Sequence, residues 1–257
     1  QKTAGTSMKF ILKHSFGTGH CDVNPLDPGP GSVFGAGDLA FVHTVYPRLR
    51  SISGHEIVEP TRHLGPAAMP YTMLREPVSR MVSHFQDKNV RGRAGLDIDA
   101  FLADPAQHDF QVRKIAGGPD LDKAKRLLRE RYFFVGLTER FTVSMRLFAA
   151  VCPYPLDLRY QRQNKAADDR IRCALAADAD VMARIRDANR LDAALYEWVA
   201  DVLLPERLAA AGVDADARPL PVYDGRLPPA RFVLSRLYHR GIYRTALKRE
   251  RRRRGGC

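Results

Sequence analysis

Two short stretches of this 257-residue sequence combine side chains suited to holding anions. The first opens the chain. Gln1-Lys2-Thr3-Ala4-Gly5-Thr6-Ser7 sets a lysine, three hydroxyls and a glycine ahead of apolar residues at Met8, Phe10, Ile11 and Leu12, whose spacing predicts a helix from Ser7 to Phe16. A helix N-terminus presents free backbone N–H groups and the positive end of its dipole, so phosphate or sulfate is the ligand class it suits. Gly5 lets the backbone approach that ligand closely. Without further support the same residues read equally as a loose terminus ahead of a capped helix. The second stretch, residues 71–86, reads Y-T-M-L-R-E-P-V-S-R-M-V-S-H-F-Q. Arg75 closes a strand pattern, and Arg80 and Ser83, spaced i and i+3, share one side of the following helix. A guanidinium fork beside a serine hydroxyl is a good phosphate clamp; alone, the pattern is also that of a helix start with surface salt bridges. Between the two stretches lies Ser53-Gly54-His55. An imidazole with an ordinary pKa of about 6.5 is matched to drawing a proton from a hydroxyl, although a polar turn histidine is the plainer reading.

The elements that must position these residues follow from local pattern. Pro70–Leu74 and Tyr132–Gly136 read as buried strands, each followed by helix: Pro77, at a first helical position, to about Val90, and Glu139–Val151. Ser51–Ile52 and Glu56–Val58 read as strand ends flanking Gly54–His55. Asp38–Leu49, Asp97–Leu102, Leu121–Arg131, Ile171–Ala188 and Leu191–Leu204 read as further helices, and Asn24–Gly37, rich in Gly and Pro, as an irregular loop. Short strands alternating with helices predict an α/β fold with a mostly parallel sheet. Such sheets bind ligands at the carboxyl ends of their strands, where Arg75 falls.

The formal charge is +12, but eleven Lys/Arg against Glu250 alone between Arg226 and Cys257 account for +10 of it, which leaves +2 on the other 225 residues. The body is therefore no general polyanion surface, and nucleic acid is not an expected partner. Prolines 219, 221, 228 and 229 mark a linker, so residues 1–218 are expected to form one domain and 219–257 a linker with a basic amphipathic tail. In that tail Arg231, Arg236, Arg240, Arg244 and Lys248 recur at helical spacing among apolar residues. The pattern suits attraction to anionic lipid, to an acidic polysaccharide or to nucleic acid, or else a docked terminal helix with a solvated charged face. Four widely spaced cysteines without a C-x-x-C pair, no N-x-S/T sequon, no signal-peptide pattern and no apolar run of ~20 residues point to a cytoplasmic protein, peripheral at most at the inner membrane surface. No His/Cys spacing suggests a metal.

Taken together, the motifs resemble those of the sulfotransferases that use 3′-phosphoadenosine 5′-phosphosulfate. Q-K-T-A-G-T-S is similar to their 5′-phosphosulfate loop and L-R-E-P-V-S-R-M-V-S to their 3′-phosphate motif. The order and the spacing of some 70 residues resemble the Golgi-type carbohydrate branch, which includes the heparan sulfate and uronyl 2-O-sulfotransferases. S-G-H (53–55), F-V-G-L-T-E-R (134–140) and L-D-A-A-L-Y-E-W-V (191–199) extend the likeness across residues 1–205. The resemblance implies a P-loop-like three-layer α/β/α fold. Lys2, Thr3, Ala4, Gly5, Thr6 and Ser7 would wrap the phosphosulfate, with Lys2 also catalytic; Arg75 and Ser83 would hold the 3′-phosphate, and His55 would be the general base. The family has H-G-H where this chain has Ser53-Gly54-His55, so the first histidine is absent. Asn164 and Lys165 fall in a polar loop that contributes late donor or acceptor contacts. The cosubstrate is then 3′-phosphoadenosine 5′-phosphosulfate with no metal, and the acceptor a hydroxyl of a glycan or glycolipid. In the family a buried strand precedes the loop in which this chain begins, so that first strand is expected either upstream of residue 1 or missing from the sheet.

Two other functions compete. A P-loop kinase or ATPase would need G-x-x-x-x-G-K-[ST], which occurs nowhere, and Lys2 here precedes the glycine. A non-enzymatic polyanion binder would act through the tail.

Overall fold

The computed structural model describes residues 3–91, 96–161, 170–216, 218–223, 225 and 228–255. In chain order its elements are α1 (Gly5–Phe16), β1 (His20–Asp22), α2 (Ala36–Val45), β2 (Ser51–Ser53), α3 (Pro60–His63), β3 (Tyr71–Leu74), α4 (Pro77–Arg91) and α5 (Ile98–Ala103). Then come α6 (Phe110–Ala116), α7 (Leu121–Glu130), β4 (Phe134–Leu137), α8 (Phe141–Val151), α9 (Arg170–Ala177), α10 (Ala179–Asp187) and α11 (Arg190–Trp198). After α12 (Leu204–Ala210) the chain ends in α13 (Ala230–Tyr238) and α14 (Arg244–Gly255); single π-turns, Val199–Leu203 and His239–Tyr243, join α11 to α12 and α13 to α14. The architecture is α/β. Among the described residues its strands form two separate parallel pairs, β1 with β2 and β3 with β4.

The chain divides into two compact units. One holds residues 1–5, 70–151 and 164–218. Its strand pair is apolar and β4 is buried along its whole length, as expected of a parallel sheet covered on both faces. Gly136 is required there: a Cβ would come within 2.6 Å of the Met73 sulfur and 2.8 Å of Ser144 Cβ, so only glycine lets α8 pack on the sheet. Ser144 of α8 fastens the contact by accepting from Leu137 N at 2.9 Å. A second cluster joins Met81, Val82 and Phe85 of α4 to Phe101, Leu102, Leu175, Val181 and Ile185.

The other unit holds residues 6–69, 152–163 and 219–257. Its core gathers Cys21, Val23, Leu26, Phe34, Val42 and Tyr46 with Tyr243 and Leu247 from the chain's end. The basic C-terminal segment is thus helical as its spacing predicts, and it supplies core side chains. Glu56–Val58 is not a strand: the ladder ends at Ser53, and the Glu56 carbonyl accepts from Phe34 N at 2.9 Å. The pattern over 171–188 divides at Asp178, whose side chain caps α10 through Val181 N.

Candidate functional site

α1 is held by the burial of Met8, Phe10, Ile11 and Leu12, and its first turn carries no acid. The residues that enter it make a sharp change of direction, with Ala4 in the left-handed region at φ 54°. A non-glycine there is uncommon and costs about 1 kcal/mol or more. A left-handed residue followed by a helical one turns successive N–H groups toward a common concavity, the geometry of an anion nest. Thr3 is half-buried, Gly5 and Thr6 are exposed, and a Cβ at Gly5 would meet nothing within 4 Å. Ser7 is half-buried and its Oγ lies 3.5 Å from the Gln161 carbonyl. Lys2, Asn164 and Lys165 lie outside the described residues.

Arg75 leaves the carboxyl end of β3, as its position in the sequence predicts. Its backbone is clamped in both directions by Gln111, which accepts from Arg75 N and donates to Arg75 O, each at 2.9 Å. Glu76 then caps α4, accepting from Val78 N and Ser79 N at 2.9 and 2.7 Å. The Arg75 guanidinium is partly exposed and stands 3.9 Å from Glu139. An ion pair this long and this accessible contributes little. Ser83 lies two turns into α4, half-buried.

Arg80 does not share that role. It is 1% exposed and its Nε lies 3.9 Å from Asp192, itself wholly buried. Its Nη2 reaches Gln107 O at 3.4 Å and Asn189 Oδ1 at 3.3 Å, and Phe110 covers the guanidinium plane at 4.9 Å. Asp192 also accepts from Gln111 N and Val112 N at 3.0 and 2.8 Å. The pair ties α4, α6 and α11 together. Helical spacing gave Arg80 and Ser83 a common side, but that side turns Arg80 into the interior.

His55 is exposed on the bend that follows β2. Its position depends on the Ser53-Gly54 turn. A Cβ at Gly54 would lie 2.9 Å from Val23 Cγ2 and 3.1 Å from Val23 O, so glycine alone fits. Ser53 Oγ donates to Asp22 Oδ1 at 2.9 Å. Asp22 is the centre of a cluster that pattern reading missed: Lys9 approaches it at 3.4 Å, Lys13 bonds it directly, and His20 Nε2 lies 3.5 Å away. The available signal was the i, i+4 spacing of Lys9 and Lys13 on α1. Burial opposes ionisation of Asp22, but the bond with His20 and the nearby positive charges overcome it and hold the carboxyl well below the usual range. His20, 1% exposed and bonded to Ser51 Oγ at 3.0 Å, is pushed down by its own desolvation. Lys9 and Lys13 thus set two amines against one carboxylate beside α1.

The same unit has an open cleft of about 750 Å³ lined by His14, Arg50, Asp157, Arg159 and Arg231 among others. Asp157 is committed to Arg159 and, at 3.5 Å, to His14, so Arg50 and Arg231 leave the cleft positive. Arg231 of the basic tail lines it, but none of the described residues nominated for the donor or the base does.

No family model matches the chain, and no curated protein or solved structure matches it either.

Proposed function

We propose that the chain is a sulfotransferase that moves a sulfuryl group from 3′-phosphoadenosine 5′-phosphosulfate to a hydroxyl, in keeping with its motif resemblance. The observation that carries this reading is the left-handed turn at Ala4, which opens a 12-residue helix with no acid in its first turn; residues 3–5 belong to the same compact unit as Arg75 and Ser83, whereas Thr6, Ser7 and His55 belong to the other. A donor charged at both ends needs two anion holders, and the sequence offers two. Each has the right character: N–H groups and hydroxyls at a helix N-terminus free of acids, and a guanidinium at the carboxyl end of a parallel strand. The same resemblance extends to a three-layer α/β/α fold, of which the α/β architecture is the coarser part.

Transfer at sulfur is an in-line displacement, governed as in phosphoryl transfer by positioning and charge stabilisation. The acceptor oxygen bonds sulfur as the bond from sulfur to the bridging oxygen breaks, and the bisphosphate leaves with the electron pair. His55 would take the acceptor's proton, while Lys2 and the loop N–H groups would offset charge growing on the bridging oxygen. Thr3, Thr6 and Ser7 would orient the phosphosulfate. A glycan or glycolipid hydroxyl remains the acceptor class that the resemblance implies.

Binding of 3′,5′-adenosine bisphosphate is the direct test. At a hundredfold excess over its Kd it should stabilise the protein by about 2.7 kcal/mol, seen as a rise in Tm. Arg75→Ala should remove that rise, with an unchanged far-UV circular dichroism spectrum showing that the variant is folded. A rise of the same size in Arg75→Ala, or no rise in the parent, overturns the assignment.

A further inference from the structure

Residues 232–255 show two faces of very different character. Phe232, Ser235, His239, Tyr243 and Leu247, spaced by three and four, are buried. Tyr238 Oη donates to Val45 O at 2.6 Å, and Arg251 donates to the carbonyls of Pro25 and Leu26. The helix is thereby fixed to the body of its unit along its length. The opposite stripe runs Leu234, Leu237, Gly241, Thr245, Lys248 and Arg252, and all six are exposed. Val233, Leu234, Leu237 and Ile242 are 37, 54, 64 and 51% exposed, four of the nine large apolar side chains exposed among the described residues. Such clustering within ten residues is not the scatter of single apolar groups that a soluble surface carries.

Charge on this face is one-sided. Arg240, Arg244, Lys248, Arg249 and Arg252 are exposed, and none has an ion pair among the described residues. Glu250, the one acid of the segment, is taken up by Arg253 and Arg254. From Leu234 to Arg252 the stripe extends about 27 Å at the rise of a helix. Its first half offers apolar side chains and its second half unbalanced cations.

We propose that this face docks on an anionic lipid bilayer, with Val233, Leu234, Leu237 and Ile242 entering the acyl boundary and the arginines and Lys248 on the headgroups. The chemistry selects lipid over other polyanions: a polysaccharide or a nucleic acid would engage the cations but offers no apolar phase for four exposed hydrophobes. No helix among the described residues is long and apolar enough to cross a membrane, so the contact lies on the surface. The inference is independent of the catalytic reading.

The test is co-sedimentation of the full chain with vesicles of phosphatidylcholine alone, or with 30% phosphatidylglycerol. Binding should require the anionic lipid and weaken as salt rises. Arg244→Glu should weaken it about fivefold or more. L234S/L237S should weaken it at least tenfold, with Tm unchanged in both variants because the altered side chains are exposed. Equal binding to both vesicle types, or none to the anionic ones at low salt, overturns the proposal. So does an L234S/L237S variant that binds as well as the parent while charge reversal abolishes binding, since the face would then read negative charge of any origin. A concentration-dependent dimer that L234S/L237S dissolves, without vesicle binding, would assign the face to a second copy of the chain.

Discussion

The two units each contain one pair of parallel strands, and they hold those pairs together by opposite means. β3 and β4 are cemented by apolar burial: β4 is closed to solvent throughout, and α8 sits directly on Gly136. β1 and β2 are three residues each, β2 is only half-buried, and the bonds across them run through Ser51, Ser53, His20 and Asp22. Each unit also has an ionic centre. In the first, Arg80 and Asp192 are sealed from water; in the second, Asp22 is 22% exposed and its lysines keep contact with solvent. The same chemistry therefore serves two ends. A sealed pair must be complete or the fold suffers, whereas an open cluster can exchange partners with water.

That contrast gives the largest expected effect. Asp192→Ala leaves the Arg80 guanidinium buried without its carboxylate and takes the acceptor from two N–H groups of α6, and should cost about 3–5 kcal/mol in urea unfolding. Asp22→Ala removes more contacts by count, but Lys9 and Lys13 can turn to solvent. Its cost should stay near 1–2 kcal/mol. Equal losses in the two variants would break the comparison and make the Asp22 cluster as sealed as the other.

The sequence was most readable where cohesion is local. Pro77 marks the start of α4, the strands read at 70–74 and 132–136 are found at Tyr71–Leu74 and Phe134–Leu137, and the opening residues do lead into a helix; each rests on a few neighbouring residues. β1 was invisible because His-Cys-Asp has no strand pattern and coheres only through partners some thirty residues away. α6 was invisible because its start depends on Asp109 at φ 43° and on the carboxylate of Asp192, some eighty residues distant. Arg80 shows the limit for site residues. Periodicity tells which side chains share a face, but whether that face meets solvent or core is decided by α6 and α11. The basic tail was legible as an amphipathic helix. Its contribution of Tyr243 and Leu247 to a core built mainly from residues 21–46 was not, and removing residues 226–257 would strip that core as well as the charge.

Acid should sharpen the contrast further, with a smaller effect. Burial pushes His239 down to about 4 in the second unit and His84 to about 4 in the first, and it lowers His14 and His20 as well, both in the second. A histidine whose folded pKa lies below 6.5 binds its proton first in the unfolded chain, so stability is complete above pH 6.5 and falls as pH drops toward 4. After screening by nearby solvent, each strongly shifted group is worth about 1–2 kcal/mol at most. Three such histidines against one should make the second unit the more acid-labile. The molecule carries its own probe, because its single tryptophan, Trp198, lies in the first unit with Arg129 and Lys125 over its ring. At pH 7.5, thermal unfolding followed by tryptophan fluorescence and by far-UV circular dichroism should be closely matched. At pH 5 the dichroism transition should begin several degrees below the fluorescence transition. A fluorescence transition that leads, or two that stay coincident at pH 5, would mean that the buried histidines of the second unit do not set its acid limit and that its polar strand pair is no weaker than the apolar one.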